Sequence, residues 1–373
     1  MNRQQIFIGI LLILSAIAFS NVIYNRGGNV RFSNTSSSFN PSMNQSVLAE
    51  YPSASLEERV SVSSENLKGL ILLNHYGDVK IVGYDNLDIE IATVVTVYAN
   101  TEQLALEHLA KLELDHQINQ EHLSLSMENI PRSTSMIRGV QTDFVIHLPQ
   151  DLFVSLTASH GFVHIENLAS GLEGTLNHLT GLTIKAINNN VRLSINHSSG
   201  DIRGVNGTLQ LDTAHSQLTV EEVAGDLRLN SRHSRVHLDD ISGEVNLQAS
   251  HDHIDLRDIG GTIQGDFSHS NLHTNRVAGN MDLNARFGSL RLANVSNELT
   301  IRSRHTTVDI ELQDSTDGYN LMVDAERASV NSNVTMVKET ISNSRDRYLA
   351  THNQGVHLVR LDAEYGNVSL RIR

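Results

Sequence analysis

Apolar and polar residues alternate along most of this chain, and between about Leu172 and Ser315 the alternation repeats every eighteen residues. Consecutive units read TLQLDTAHSQLTVEEVAG, DLRLNSRHSRVHLDDISG, EVNLQASHDHIDLRDIGG, TIQGDFSHSNLHTNRVAG and NMDLNARFGSLRLANVSN. Period-two alternation marks a strand with one buried face. Leu209 and Leu211 open one unit, and Leu218, Val220 and Val223 close it. Val245 and Leu247, then Ile254, Leu256 and Ile259, do the same two units later. Each unit therefore predicts two short strands and two corners. One unit cannot bury its own inner face, whereas stacked units can, with backbone groups pairing at ~4.8 Å. A leucine-rich repeat would need a helical segment that the unit lacks. A hexapeptide helix would need an apolar residue at every sixth position, and Leu209, His215 and Glu221 fail that test. The pattern predicts an all-β chain, a parallel β-solenoid with eighteen-residue coils. About eleven coils would make a rod on the order of 50 Å long.

The alternation also marks what lies outside the regular repeats at 153–315. Leu67 to Val82 reads as one unit. Residues 85–150 break the period with a long strand (LDIEIATVVTVY), a short helical pattern from Glu102 and further strands ending at Pro149. They predict a small α+β shoulder capping the first coil, since an uncovered terminal rung invites edge pairing. Beyond Gln313 the repeat decays. Leu321, Val323, Ala325 and Val330 look like a damaged unit, Lys338 to Asn353 reads as a polar, mobile stretch, and Val359 to Leu370 is a clean unit again.

Ile6 to Phe19 is almost wholly apolar behind Arg3, and Val22 to Tyr24 extend the run. Such a segment predicts an N-terminal apolar helix over residues 1–26, serving as a signal-anchor through residues 6–24 or, with Ala16 and Ala18 as an A-x-A site, as a cleaved signal peptide. The location then expected is a bacterial cell envelope, inner-membrane anchored with the repeats outside, or exported if cleavage occurs. Residues 27–59 are rich in Ser and Asn and predict a flexible tether to a domain over 60–373.

Two columns recur along the units, the second with His160 and His178 in looser register and Leu179 at the strict place. Gly171, Asn189, Gly207, Gly225, Gly243, Gly261, Gly279 and Asn297 form one. Glycine and asparagine enter the left-handed backbone region at least cost, so this column predicts a structural turn at positive φ. The other column is His160, His178, His197, His215, His233, His251, His269 and His305, with Phe287 in register and Tyr76, Tyr365 and Arg327 at matching places in the outer units. Flat side chains on successive rungs predict a stacking ladder. Counting along the strand from Leu209, Leu211 and Thr213 turns the His215 ring inward. A second reading is binding or acid sensing: two imidazolium ions at ~4.8 Å repel by roughly 3.5 kcal/mol at a dielectric near 20, so mild acid should strain a full column. Metal capture is disfavoured, because zinc–nitrogen bonds of ~2.1 Å bring two ligand nitrogens within ~4.2 Å and no fixed carboxylate completes a site.

Composition narrows the classes. The formal net charge is −14, which argues against nucleic acid. Cysteine is absent, which removes disulfides and thiolate chemistry. Aspartates and glutamates follow the period instead of clustering at a break, so no catalytic residues, metal site or cofactor are assigned, and an enzyme acting on polysaccharide is the least favoured class. The expected function is a non-enzymatic adhesion or scaffold module, with an acid- or metal-responsive sensor as the alternative and an unknown protein or glycan of the envelope as partner.

The whole pattern resembles the bacterial putative-adhesin β-solenoids, a family of anchored envelope proteins whose function is unknown. The likeness covers Val60 to Arg373 and rests on the polar tether, the strand–helix–strand shoulder, the LPQDL segment at Leu148 to Leu152 and the Gly-punctuated units. The family's Ser-Ser-Gly-Asp corner survives at Ser198 to Asp201 and in part at Gly77-Asp78, and His-Ser or His-Asp replaces it elsewhere. The resemblance implies an adhesin-like solenoid and no catalytic residues.

Overall fold

The computed structural model describes residues 48, 50–130 and 136–373. The eighteen-residue units each supply two strands, and these form two parallel ladders. Leu209–Ala214 pairs with Val191–Asn196 and Leu227–Arg232, while Gln217–Val223 pairs with Ser199–Val205 and Arg235–Ile241. Register steps by one unit, with Leu211 opposite Leu229 and Val220 opposite Leu238. Alternation then sends the apolar residues of both ladders to one side. Leu209, Leu211, Leu218, Val220 and Val223 are at most 1% exposed and join one continuous core running to Ile372.

The all-β solenoid expectation is corrected in two respects. First, all strands belong to a single hydrogen-bonded sheet that is not uniformly parallel, in place of the parallel solenoid coil expected; the one short helix among the described residues, Glu102–Leu109, lies where the shoulder's helical pattern predicts it. Ser53–Ser63 pairs antiparallel with Asp88–Ala99, which pairs antiparallel with Ile137–Pro149, and Glu113–Asn119 pairs antiparallel with His122–Glu128. Where the period fails, short reversals replace the long return path that parallel neighbours require. The helix starts at Thr101, whose hydroxyl accepts from the Leu104 N–H. It buries Ala105 and Leu109 in a satellite core with Val95, Val97 and Ile137.

Second, no helix among the described residues is long and apolar enough to cross a membrane. The helix just described has eight residues, where a span needs about twenty. Residues 6–24 lie outside the described residues. The N-terminal apolar helix, the transmembrane or signal segment, the membrane as a partner and the inner-membrane-anchored location were all placed on them, and no described helix supports these expectations.

The order of rungs departs from chain order at both ends. Gly69–Asn74 lies between His122–Glu128 of the shoulder and Phe153–Ser159, the first repeat strand. At the other end, Leu299–Leu312 pairs with His357–Glu364 and Asn367–Ile372, and only beyond these come Tyr319–Glu326 and Ser329–Ser332. The clean unit is thus inserted between the last regular unit and the damaged one. The polar stretch expected to be mobile forms a hairpin, Val337–Ser342 with Arg345–His352, laid antiparallel along Tyr319–Glu326. Its anchor is the buried carboxylate of Asp324, which accepts two hydrogen bonds from Arg347 at 2.6 and 3.0 Å and one from Arg345 at 3.3 Å. The Arg347 guanidinium, and then that of Arg345, holds this carboxyl below the usual range.

Candidate functional site

The eight histidines come together in one column at the corner between the two ladders. From Tyr76 through His160, His178, His197, His215, His233, His251, His269, Phe287 and His305 to Tyr365, successive ring centroids are 4.7–5.2 Å apart. Interplanar angles stay at 20° or below, so the rings stack face to face. The Arg327 guanidinium lies over the far face of Tyr365, 5.5 Å from its centroid. Insertion of the clean unit is what brings Tyr365, and not Arg327, next to His305.

The backbone of this column is left-handed. From His160 to Tyr365 every member has φ between 50° and 62°, including Phe287 and Arg327. A left-handed residue breaks the alternation of the strand. The ring therefore turns outward, contrary to the inward expectation: His160 is half-buried and the other seven column histidines are exposed. The residue after each histidine turns in. Ser198, Ser216, Ser234, Asp252 and Ser270 are at most 6% exposed.

These inward residues form a second, polar column. The N–H of Ser198 donates to Ser216 Oγ at 3.2 Å, that of Ser216 to Ser234 Oγ at 3.2 Å, and that of Asp252 to Ser270 Oγ at 3.1 Å. Each serine hydroxyl donates in turn to a carbonyl two residues back, as Ser216 does to Ala214 O at 2.9 Å. Asp252 substitutes a carboxylate, whose oxygens accept from the N–H groups of Ser234 at 2.6 Å and Ser250 at 2.7 Å. Burial pushes its acid strength down, raising the pKa, while those hydrogen bonds oppose the shift. Neither the serines nor Asp252 were singled out from the sequence. The signal was the eighteen-residue recurrence of a small polar residue directly after the histidines from His197 to His269.

Between the histidine column and the row Ser199, Gln217, Arg235, His253 and Asn271 runs an open groove of about 860 Å³, floored by Ser198, Ser216, Ser234 and Asp252. Hydroxyls of Ser250 and Ser268 meet Nδ1 of His251 and His269 at 3.1 Å, fixing those rings from the backbone side. At the Tyr76 end of the column, Asp78 accepts from the Phe162 N–H at 2.8 Å and Asp143 accepts from the Asp78 N–H at 2.8 Å. Burial, with a smaller contribution from the Asp143 charge, pushes Asp78 up to about 6. Burial and then the neighbouring His178 and His75 lower the pKa of His160.

Parallel rings project their nitrogens side by side, which does not converge them on one ion. Among the described residues no three His, Asp or Glu side chains gather as a metal site. His164, His237, His253 and His273 lie on the outer face of the second ladder near carboxylates, as His253 does to Asp255 at 3.4 Å.

The turn column is corrected in its cause. Gly171, Gly207, Gly225, Gly243, Gly261 and Gly279 do not have positive φ; among the described glycines only Gly77, Gly204, Gly318 and Gly355 do. The left-handed residues near that corner come three positions earlier, at Glu222, Asp240, Asp258 and Arg276. Glycine is required by proximity instead: a Cβ on Gly261 would sit 2.1 Å from the Gly243 carbonyl oxygen. Asn189 and Asn297, near the two ends of the run, replace glycine, and the Asn297 side chain donates to the Ala278 carbonyl.

No protein-family model and no curated protein matches the chain. Among solved structures it is similar to a "putative cell adhesion protein" from Clostridium sporogenes, at 12% identity and a TM-score of 0.20, over 86% of this chain and 100% of that one. A score that low carries no argument about fold or function.

Proposed function

We propose that the chain is a non-enzymatic, envelope-associated interaction module of adhesin type, and that it engages an extended partner along the outward ring column. One observation carries this reading: eleven stacked rings, all but the half-buried His160 exposed, form an unbroken line that the fold does not require. A left-handed L-residue costs roughly 1–2 kcal/mol, and glycine or asparagine would occupy the corner more cheaply than Phe287 or Tyr365. The core is filled by the apolar positions and the corner is held by the inward serines, so the rings serve the surface. The carboxylates near the column are engaged with backbone N–H groups, Asp252 and Asp78 among them, which favours binding over acid–base chemistry. The sequence resemblance to adhesin-type proteins supports the coarse class, and the column suggests its mode.

A photo-crosslinking residue at Gln217, in the groove wall, tests this on intact cells against the same residue at the exposed Gln248 on the outer face of the first ladder. Capture at Gln217 and not at Gln248 is expected. Equal capture at both, or none at Gln217, would overturn the reading.

A further inference from the structure

We propose that the groove beside His197, His215, His233, His251 and His269 takes a linear polyanion, and grips it in mild acid when the imidazoles gain protons. The inference rests on the interaction-module reading and names the class of its ligand.

Three observations converge. The first is charge contrast. The chain carries a formal charge of −14, yet one carboxylate lines the groove. That group, Asp252, is 4% exposed and its oxygens accept backbone N–H groups, so it presents little charge to a ligand. The second is shape. Five histidines follow one another in steps of 4.7–5.0 Å along a straight open groove. A single small anion reaches two rings at most, whereas a polymer with regularly spaced anionic groups lies along all five.

The third is linkage. Neighbouring imidazolium ions repel, and an anion along their edges offsets the repulsion, so proton uptake and polyanion binding strengthen each other. The other charged or titratable groups around the column are mixed in sign, with cations in excess. Arg235 and His253 form the far wall, Arg232 precedes His233 in the chain, Asp252 lies in the floor, and Asp255 stands 3.4 Å from His253 on the outer face. Serine contacts at Nδ1 of His251 and His269 leave Nε2 as the outer nitrogen of each ring.

The test is titration calorimetry of the full chain with long-chain polyphosphate and with polyglutamate at pH 7.5 and 5.5. These two polymers separate phosphate from carboxylate recognition; inorganic phosphate and neutral dextran serve as controls. Each proton taken up on binding strengthens it about tenfold per unit fall in pH across the imidazole range, so at least a ~10-fold gain between pH 7.5 and 5.5 is expected for one polyanion. That binding should weaken steeply with salt. The variant H215N/H233N/H251N keeps residues suited to a left-handed backbone and removes three titrating rings. With an unchanged melting temperature at pH 7.5, it should lose most of the acid gain. Equal affinity at both pH values, wild-type acid binding by the variant, or no polyanion binding at pH 5.5 overturns the inference. Dextran binding at both pH values, or continued crosslinking at Gln217 without polyanion binding, overturns it too while leaving the interaction module standing.

Discussion

Histidine in the outward column is doing two things at once, and one half-buried aspartate beside it shows what titration does to this fold. The column asks for a side chain that tolerates positive φ, where histidine, asparagine and aspartate are enriched over other non-glycine residues. It also uses a flat ring that stacks at 4.7–5.2 Å. Asp78 lies at the column's end, pushed up to about 6 by burial. A raised folded pKa means that its contribution is fully present below the unfolded value near 3.8 and is lost as pH rises through about 6. His160 works in the opposite window, because a lowered imidazole pKa contributes stability above about 6.5 that is lost as pH falls. Asp78→Asn keeps an oxygen to accept the Phe162 N–H and removes the half-buried charge. It should therefore stabilise the chain at pH 7.5, by up to about 3 kcal/mol on the scale of two pKa units, with the gain gone by pH 4. Urea denaturation of both proteins across that range measures it; a variant less stable at pH 7.5 contradicts the assignment.

At the scale of the strand and corner, the glycine column sets how closely rungs can stack. Gly243→Ala would place a Cβ 2.5 Å from the Gly225 carbonyl, backbone that cannot swing aside. A loss of about 1–3 kcal/mol or more is expected by chemical denaturation, as for other overpacked sites. Gly204→Ala is the internal contrast: its added Cβ meets nothing nearer than 3.5 Å, so its cost comes from φ alone. The same corners explain how much could be read from the sequence. Spacing exposed the two strands per unit, their apolar faces and the register of both columns, because stacking repeats the same environment every eighteen residues. Direction was not legible. Counting in twos from Leu209 assumes an unbroken strand, and the left-handed turn at His215 flips that count, turning the ring out and Ser216 in. Composition likewise could not distinguish a glycine needed for φ from one needed for clearance.

Across the whole molecule, the regular units contact mainly their neighbours, so stability is close to a sum of unit and interface contributions. The ends are different in kind, because there the spatial order departs from the order of the sequence. Leu361, 1% exposed in the inserted strand, touches both the last regular unit and the damaged one. Leu361→Ala should cost about 2–4 kcal/mol. Its effect should be local: hydrogen exchange should speed up at the amides of Arg345–His352 while those of Leu209–Ala214 stay protected. Uniform acceleration along the chain would mean that the rungs unfold as one unit.

The insertion has a further consequence for how the chain is made. Residues 319–332 emerge from the ribosome before residues 357–372, yet their final neighbour is that later segment. While synthesis is at that point, the exposed edge of Leu299–Leu312 offers the earlier segment a vacant place with the same parallel geometry. The final order of these rungs is therefore the reverse of the order in which they are made: the edge of Leu299–Leu312 finds its native neighbour only after 357–372 has been translated, and 319–332 reaches its own place last.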